Sequence, residues 1–257
     1  MAPSASSPEP SATPGAGAAT EPSVHTHVLV AGRWLLADPR GALLVEEERV
    51  LVVADLHFEK GSSLARRGML LPPYDTAATL GRLALLIDRY APRRVVALGD
   101  SFHDPYAAAR LSDDNREVLR RLAHGRDWLW ISGNHDPLPP AGLGGETAAE
   151  WTLGPLVFRH EPQDGASWGE IAGHLHPVAI VASRSGTARR RAFVSDGGRC
   201  VMPAFGAYAG GLNLHDRAFA PLFAPGTRTV HALGQDRVYP VSERQCLPDA
   251  GPLRRMG

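Results

Sequence analysis

The chain of 257 residues has very little cysteine, almost no lysine and no net charge. Its two cysteines, Cys200 and Cys246, have neither metal-ligand spacing nor the number that a disulfide framework needs. That excludes a cysteine-stapled scaffold and fits a reducing cytosol. Lys60 is the only lysine, and every other basic residue is arginine. This bias reads first as codon composition, and the fork-like fit of arginine to phosphate is reserved for individual sites. With 27 basic and 27 acidic residues the formal charge is zero. No global field therefore advertises nucleic acid, although a local patch is enough to bind it. No apolar run approaches the roughly 20 residues that span a bilayer. No basic segment followed by an apolar stretch marks a signal peptide. These absences point to a cytoplasmic protein without membrane contact.

A hydrophobic content of 44% and a charged content of 21% are ordinary for a soluble globular domain. Residues 1–23 are Pro/Ala-rich and lack an apolar period, so they are expected to be disordered. Residues 24–245 read as one domain and 246–257 as a loose tail. From His27 to Asp55 the runs HVLVAG, RWLLA, ALLVEE and RVLVVA suggest short strands, with a turn at Asp38-Pro39-Arg40-Gly41. Residues 75–90 place Leu80, Leu83, Ala84, Ile87 and Tyr90 at helical spacing, with Asp75 as the expected N-cap. RVVAL follows as a buried strand, then a helix over 112–123, then the strand DWLWIS. After residue 150 short strand-like runs dominate, which suggests a second sheet of more antiparallel character. The pattern as a whole suggests a two-sheet sandwich with helices outside.

Five polar motifs each end an apolar run. They are Asp55-Leu56-His57, Gly99-Asp100-Ser101-Phe102-His103, Gly133-Asn134-His135-Asp136, His160, and Gly173-His174-Leu175-His176. In α/β sheets ligands gather beyond the carboxyl ends of strands. A set of carboxylate, amide and imidazole donors is what a two-metal site requires. In an extended segment, positions i and i+2 point to the same side, so Asp55 and His57 can face one metal; His174 and His176, at the same spacing and framed by Gly173 and Pro177, look like ligands as well. Taken singly, other readings stand. Asp55 and His57 fit a strand-ending turn, Asp100 a helix N-cap, residues 133–137 a plain turn, and His160 a structural histidine.

The ordered series Asp-x-His, Gly-Asp, Gly-Asn-His, His, Gly-His-x-His resembles the signature of the calcineurin-like metallophosphoesterase superfamily, over about residues 50–177. The resemblance implies an α/β fold (α+β by some schemes), a two-sheet β-sandwich flanked by helices in four layers, α/β/β/α. It also implies a centre of two divalent ions. Asp55, His57 and His176 would hold the first metal. Asn134, His160 and His174 would hold the second, with Asp100 bridging both. His135 would face the substrate phosphate, stabilising the transition state or protonating the leaving oxygen, oriented by Asp136. Ligands of this kind, without thiolate, suit manganese or iron, with zinc as a further choice.

The second motif narrows the substrate. Protein phosphatases of the superfamily carry Gly-Asp-x-Val-Asp-Arg-Gly, whereas this chain reads GDSFHD. The Gly-Asp-x-Phe-His pattern resembles the nuclease branch, where His103 would lie beside the scissile phosphate. DLHFEKG at 55–61, LPPYDT at 71–76 and the later PAFGAYAGGLN resemble the bacterial DNA-ligase-associated metallophosphoesterases, over about residues 27–220. That likeness implies a manganese-dependent endonuclease acting on single-stranded DNA in DNA repair. It implies a ligase, a helicase and an exonuclease as partners. Lys60, Arg66 and Arg67 are candidate contacts to the DNA backbone, or else part of a solvated face. Asp104 could touch the substrate or His103. Arg189-Arg190-Arg191 reads as an exposed basic run, and Tyr74, Phe102 and Tyr208 as packing residues before stacking ones. Two other functions are compatible with the residues: a phosphohydrolase of small phosphate esters or nucleotides, and a non-catalytic metal-binding scaffold in a repair complex.

Overall fold

Alternating and fully apolar runs of four to six residues build the first sheet. The computed structural model describes residues 26–69, 71–137, 142–183 and 186–249. The Pro/Ala-rich extension at 1–23 lies outside the described residues. Strands β1 (Thr26–Val30), β2 (Arg33–Asp38), β3 (Ala42–Val45) and β4 (Val50–Ala54) form an antiparallel meander. The turn expected at 38–41 joins β2 to β3, and the Asp38 carboxylate accepts from Arg40 N–H at 2.8 Å. Between β4 and β5 (Arg94–Leu98) run helices α1 (Lys60–Arg66) and α2 (Asp75–Tyr90). Between β5 and β6 (Asp127–Ile131) run α3 (Ala107–Arg110) and α4 (Asp113–Ala123). With β7 (Glu146–Ala148), the strands β4 to β7 are parallel, and the seven lie in chain order across the sheet.

The second sheet begins at residue 150, as the change in pattern implies. Its strands are β8 (Glu150–Leu153), β9 (Leu156–Arg159), β10 (Glu170–Ala172), β11 (Val178–Ser183), β12 (Gly186–Ser195), β13 (Arg199–Val201), β14 (Thr229–Leu233), β15 (Val238–Ser242) and β16 (Cys246–Leu247). Their order is β15-β14-β12-β13-β10-β9-β8, with β11 paired to both β12 and β16. Most pairs are antiparallel, but β9, β10 and β13 run parallel. Residues 246–249 therefore do not belong to a loose tail. Cys246 is buried and paired with Val181, and Asn213 Nδ2 donates to the Leu247 carbonyl at 2.9 Å.

The two sheets face each other across Leu35, Val52, Val96 and Leu129 on one side and Phe158, Phe193 and Met202 on the other. On the far face of the first sheet, Leu80, Leu83, Leu86 and Ile87 of α2 cover Leu51, Val53, Val95 and Ala97. Strand β4 is thus buried on both faces, which is why VLVVA is continuously apolar. Leu214, Phe219, Leu222 and Phe223 close the outer face of the second sheet over Val194 and Val201. A single turn of 3₁₀ helix, Arg217–Phe219, lies in that cover.

Helix α2 spans the residues its periodicity predicts. Asp75 does not cap it; the N-cap is Tyr74, and the Asp75 carboxylate instead accepts from Gly61 N–H of α1 at 3.0 Å. Ser112 caps α4, with acidic residues in the first turn and arginines in the last, which suits the helix dipole. Helix α1 has no sequence signal, because Gly61, Ser62 and Ser63 are weak helix formers. No helix among the described residues is long and apolar enough to cross a membrane.

Candidate metal centre

Each sheet contributes one bundle of adjacent parallel strands, and the carboxyl ends of the two bundles meet. Asp55 follows β4, Asp100 follows β5 and Asn134 follows β6, while His160 follows β9 and His174 follows β10. The segment after β13 closes the floor: Phe205 N–H donates to the Ala54 carbonyl at 2.8 Å and Gly206 N–H to the Asp55 carbonyl at 3.0 Å. This is the PAFGAYAGGLN stretch.

The donors fall into two groups. Asp55, His57 and His176 converge in one, and Asp100, His160 and His174 in the other. In the first, His57 Nε2 lies 3.3 Å from His176 Nε2, which is 3.2 Å from Asp55 Oδ1. In the second, Asn134 Oδ1 lies 2.9 Å from His160 Nε2 and 3.0 Å from His174 Nδ1. Those two nitrogens are 3.2 Å apart, and Asp100 Oδ1 is 3.4 Å from His160 Nε2. Three electron-rich atoms in the first group and four in the second thus converge on spaces that have few protons to share among them. A divalent cation satisfies such a set, so the residues fit the two metals expected. The groups are coupled through the main chain, because His174 N–H donates to both Asp55 oxygens, at 3.0 and 3.2 Å.

Local backbone strain aims the ligands. Asp55, His57, Asp100, His174 and His176 all have positive φ, between 44° and 69°. Residues other than glycine adopt this region at a cost, and such residues cluster at functional sites. The paired positions i and i+2 therefore do not meet by strand alternation. Each motif leaves its strand in a left-handed step that turns both side chains toward the cleft. Gly99, with φ of 71°, cannot be replaced freely, because a Cβ there would run into the His160 ring.

The electrostatics follow from burial. It pushes the His57 pKa down to about 2, helped by the neighbouring His176. Burial also disfavours charge on His160, but the hydrogen bond to Asp100 and the charges of Asp55 and Asp100 outweigh it and lift its pKa to about 9. Burial would raise Asp100, yet His160 and the His135 N–H hold it down at about 2. Asp136 is raised to about 7, first by burial and then by Asp100, against the N–H groups it accepts.

His135 and Asp136 are arranged differently from the expectation. The Asp136 carboxylate does not orient His135; it accepts from Phe102 N–H at 3.0 Å and Gly133 N–H at 3.2 Å, tying the second motif to the third. The His135 ring is oriented by main chain instead, with Nδ1 donating to the His103 carbonyl at 2.9 Å. That bond fixes the tautomer and leaves Nε2 directed at the cleft, 3.8 Å from Asp100 Oδ2. The His103 and His135 rings stack with centroids 5.4 Å apart. Burial and the nearby Lys60 push the His103 pKa down to about 4.

The Asp104 carboxylate is turned to Arg110, although its charge still acts on the neighbouring His103. It forms a bidentate pair with Arg110 at 2.7 and 2.9 Å, and Arg110 reaches on to Ser62 Oγ and the Glu59 carbonyl. Arg110 is the residue that sequence reasoning missed. Lys60 opens α1 half-buried, while Arg66 and Arg67 end it exposed. Phe102 is buried between Phe58 and Trp130, so it cannot stack on a base. Tyr74 is exposed, and Tyr208 donates to the Pro72 carbonyl. Of the basic run, Arg189 and Arg190 are exposed, but Arg191 turns inward to the Ala204 carbonyl.

No family model and no curated protein sequence matches the chain. A solved structure does: the nuclease MPE of Pseudomonas putida, with a TM-score of 0.68 and 27% identity, over 84% of this chain and 100% of that one. The fold and the two ligand groups fit a metallophosphoesterase. The α/β sandwich of two mixed sheets is the architecture expected from the motif series.

Proposed function

We propose that this protein is a metal-dependent phosphodiesterase that cleaves DNA endonucleolytically, with single strands as substrate and manganese as its metal. The observation that carries the reading is the pair of Asp/His groups set side by side in one cleft. The likeness to a nuclease supports the choice of a nucleic acid over a small ester. Asp55, His57 and His176 are assigned to one ion and Asn134, His160 and His174 to the other, with Asp100 between them. Two bound ions would supply an attacking water at neutral pH and offset charge growing on the phosphate oxygens.

The chain's own residues do the rest. Asp100 receives the His135 N–H, which holds the third motif against the second. His135, its tautomer set by the His103 carbonyl, presents Nε2 to the phosphate, where in its protonated form it can donate to a non-bridging or leaving oxygen. His103 stacks behind it and restricts its tilt. Asp136 keeps the two loops in register. The reading extends to the closer family likeness: a role in DNA repair, in the cytoplasm, beside a ligase, a helicase and an exonuclease.

Circular single-stranded DNA incubated with the protein and manganese is expected to be nicked, and Asp100→Ala to abolish nicking. Turnover of phosphomonoesters or cyclic nucleotides with no cleavage of DNA would favour a small-ester hydrolase. Nicking that persists unchanged in Asp100→Ala would reject the site.

A further inference from the structure

Lys60 is the only lysine in a chain whose other cations are all arginine. It stands at the first position of α1 and is half-buried. Among the described residues its ammonium makes no hydrogen bond and no ion pair. Asp75 is the acid that acts on it, and the Asp75 carboxylate is already engaged with the Gly61 N–H at 3.0 Å. A half-buried cation whose neighbouring carboxylate is engaged elsewhere loses hydration and gains little in return.

Its position is set by a rigid frame. Phe58 N–H donates to the Ser101 carbonyl at 2.8 Å, and His103 N–H to the Phe58 carbonyl at 3.0 Å. Arg110 bonds Ser62 Oγ at 3.0 Å and so fastens the first turn of α1 to the same loop. The ammonium is close enough to disfavour the protonated rings of His57 and His103. Lys60 belongs to neither ligand group. Its backbone stands three residues beyond His57, at the start of the helix whose lead-in segment is bonded to the loop that carries His103, and this edge is the rim of the first group. The exposed Arg67 also acts on His103, and the opposing charge of Asp104 there is already paired with Arg110.

On the reading of the cleft as a phosphodiesterase site, we infer that Lys60 holds the phosphodiester next to the scissile one, so that the site prefers a polynucleotide chain to an isolated ester. The scissile phosphate lies between the ligand groups and His135, and Lys60 is a step along the chain from it. An ammonium is a compact charge with three donors, able to reach a phosphate oxygen from a half-buried position.

The test compares the parent protein with Lys60→Ala and Lys60→Arg on two substrates, a single-stranded oligonucleotide and bis(p-nitrophenyl) phosphate, which has no neighbouring phosphate. For Lys60→Ala, KM on the oligonucleotide is expected to rise about 10-fold more than KM on the small diester, with bound metal unchanged. The slope of binding against salt should fall by about 0.7. Lys60→Arg, which keeps the charge, should bring KM back to within about threefold of the parent. Equal losses on both substrates would move Lys60 onto the scissile phosphate, and an unchanged KM would leave it a solvated charge. Failure of arginine to rescue would show that the charge is not what matters; each of these overturns the inference. If the parent cleaves neither substrate, the phosphodiesterase reading fails. Anisotropy of a labelled oligonucleotide in chelator then decides Lys60 separately: binding about 10-fold weaker in Lys60→Ala supports the inference, and equal binding rejects it.

Discussion

His176 Nε2 is held 3.3 Å from His57 Nε2 and 3.2 Å from Asp55 Oδ1. It reaches this place from the second sheet, while its two partners come from the end of β4 in the first. Removing it should therefore cost one metal and leave the other. His176→Ala is expected to lower bound manganese from two ions to about one, read by elemental analysis, while Asn134, His160 and His174 keep theirs. Two ions still bound in the variant would contradict the assignment. At this scale the residue types were readable and the contacts were not. His160 is the clearest case: by sequence it is a lone histidine after a strand, and only its 2.9 Å approach to Asn134 Oδ1 places it in a ligand group. Asp136 is the reverse case, since adjacency to His135 suggested a pairing that the backbone directs elsewhere, to Phe102 and Gly133.

Helix α1 and the loop after β5 carry the functional rim, and neither has a strong pattern of its own. The helix is seven residues long and contains Gly61 and two serines, so its propensity is low and tertiary contacts decide it. Asp75 from α2 and Arg110 from α3 supply those contacts. Arg110 also grips Asp104, one residue beyond His103, whose carbonyl orients His135. Arg110→Ala should leave Asp104 without its ion-pair partner and lower stability by about 2 kcal/mol, read as a shift in thermal unfolding. It should also lower kcat, with bound metal unchanged, because His135 loses its frame and the ligand groups do not. A fall in metal content equal to the fall in kcat would show that the clamp supports the ligands instead.

Across the whole molecule the cleft is a seam between two sheets. Asp55 belongs to the first sheet and accepts from His174 N–H of the second. His160 of the second sheet likewise approaches Asp100 and Asn134 of the first. Ions held by these residues would therefore tie the two layers together and stabilise their association. Manganese at about 100 times its dissociation constant adds about 2.7 kcal/mol per site that binds only the folded chain. The melting temperature should rise by about 5–10 °C for each site loaded and fall back in chelator. An unchanged melting temperature would mean that the groups do not bind metal in the folded state.

The sequence by itself determined which chemistry is available. Apolar runs that end in Asp, His and Asn specify both the strands and the donors, because burial on two faces demands continuous apolar residues and the first polar residue marks the strand end. Helix α2 and the change of pattern at residue 150 were legible for the same reason, since periodicity records burial. Residue spacing alone does not say which donors come together; the tertiary structure brings them into two groups, because these draw on strands far apart in the chain whose carboxyl ends meet only when the sheets pack. It also decided the left-handed steps at five candidate ligands, the main-chain bonds that orient His135 and the half-buried position of Lys60. Those depend on carbonyl groups and loop geometry, which every residue carries alike and no residue type announces.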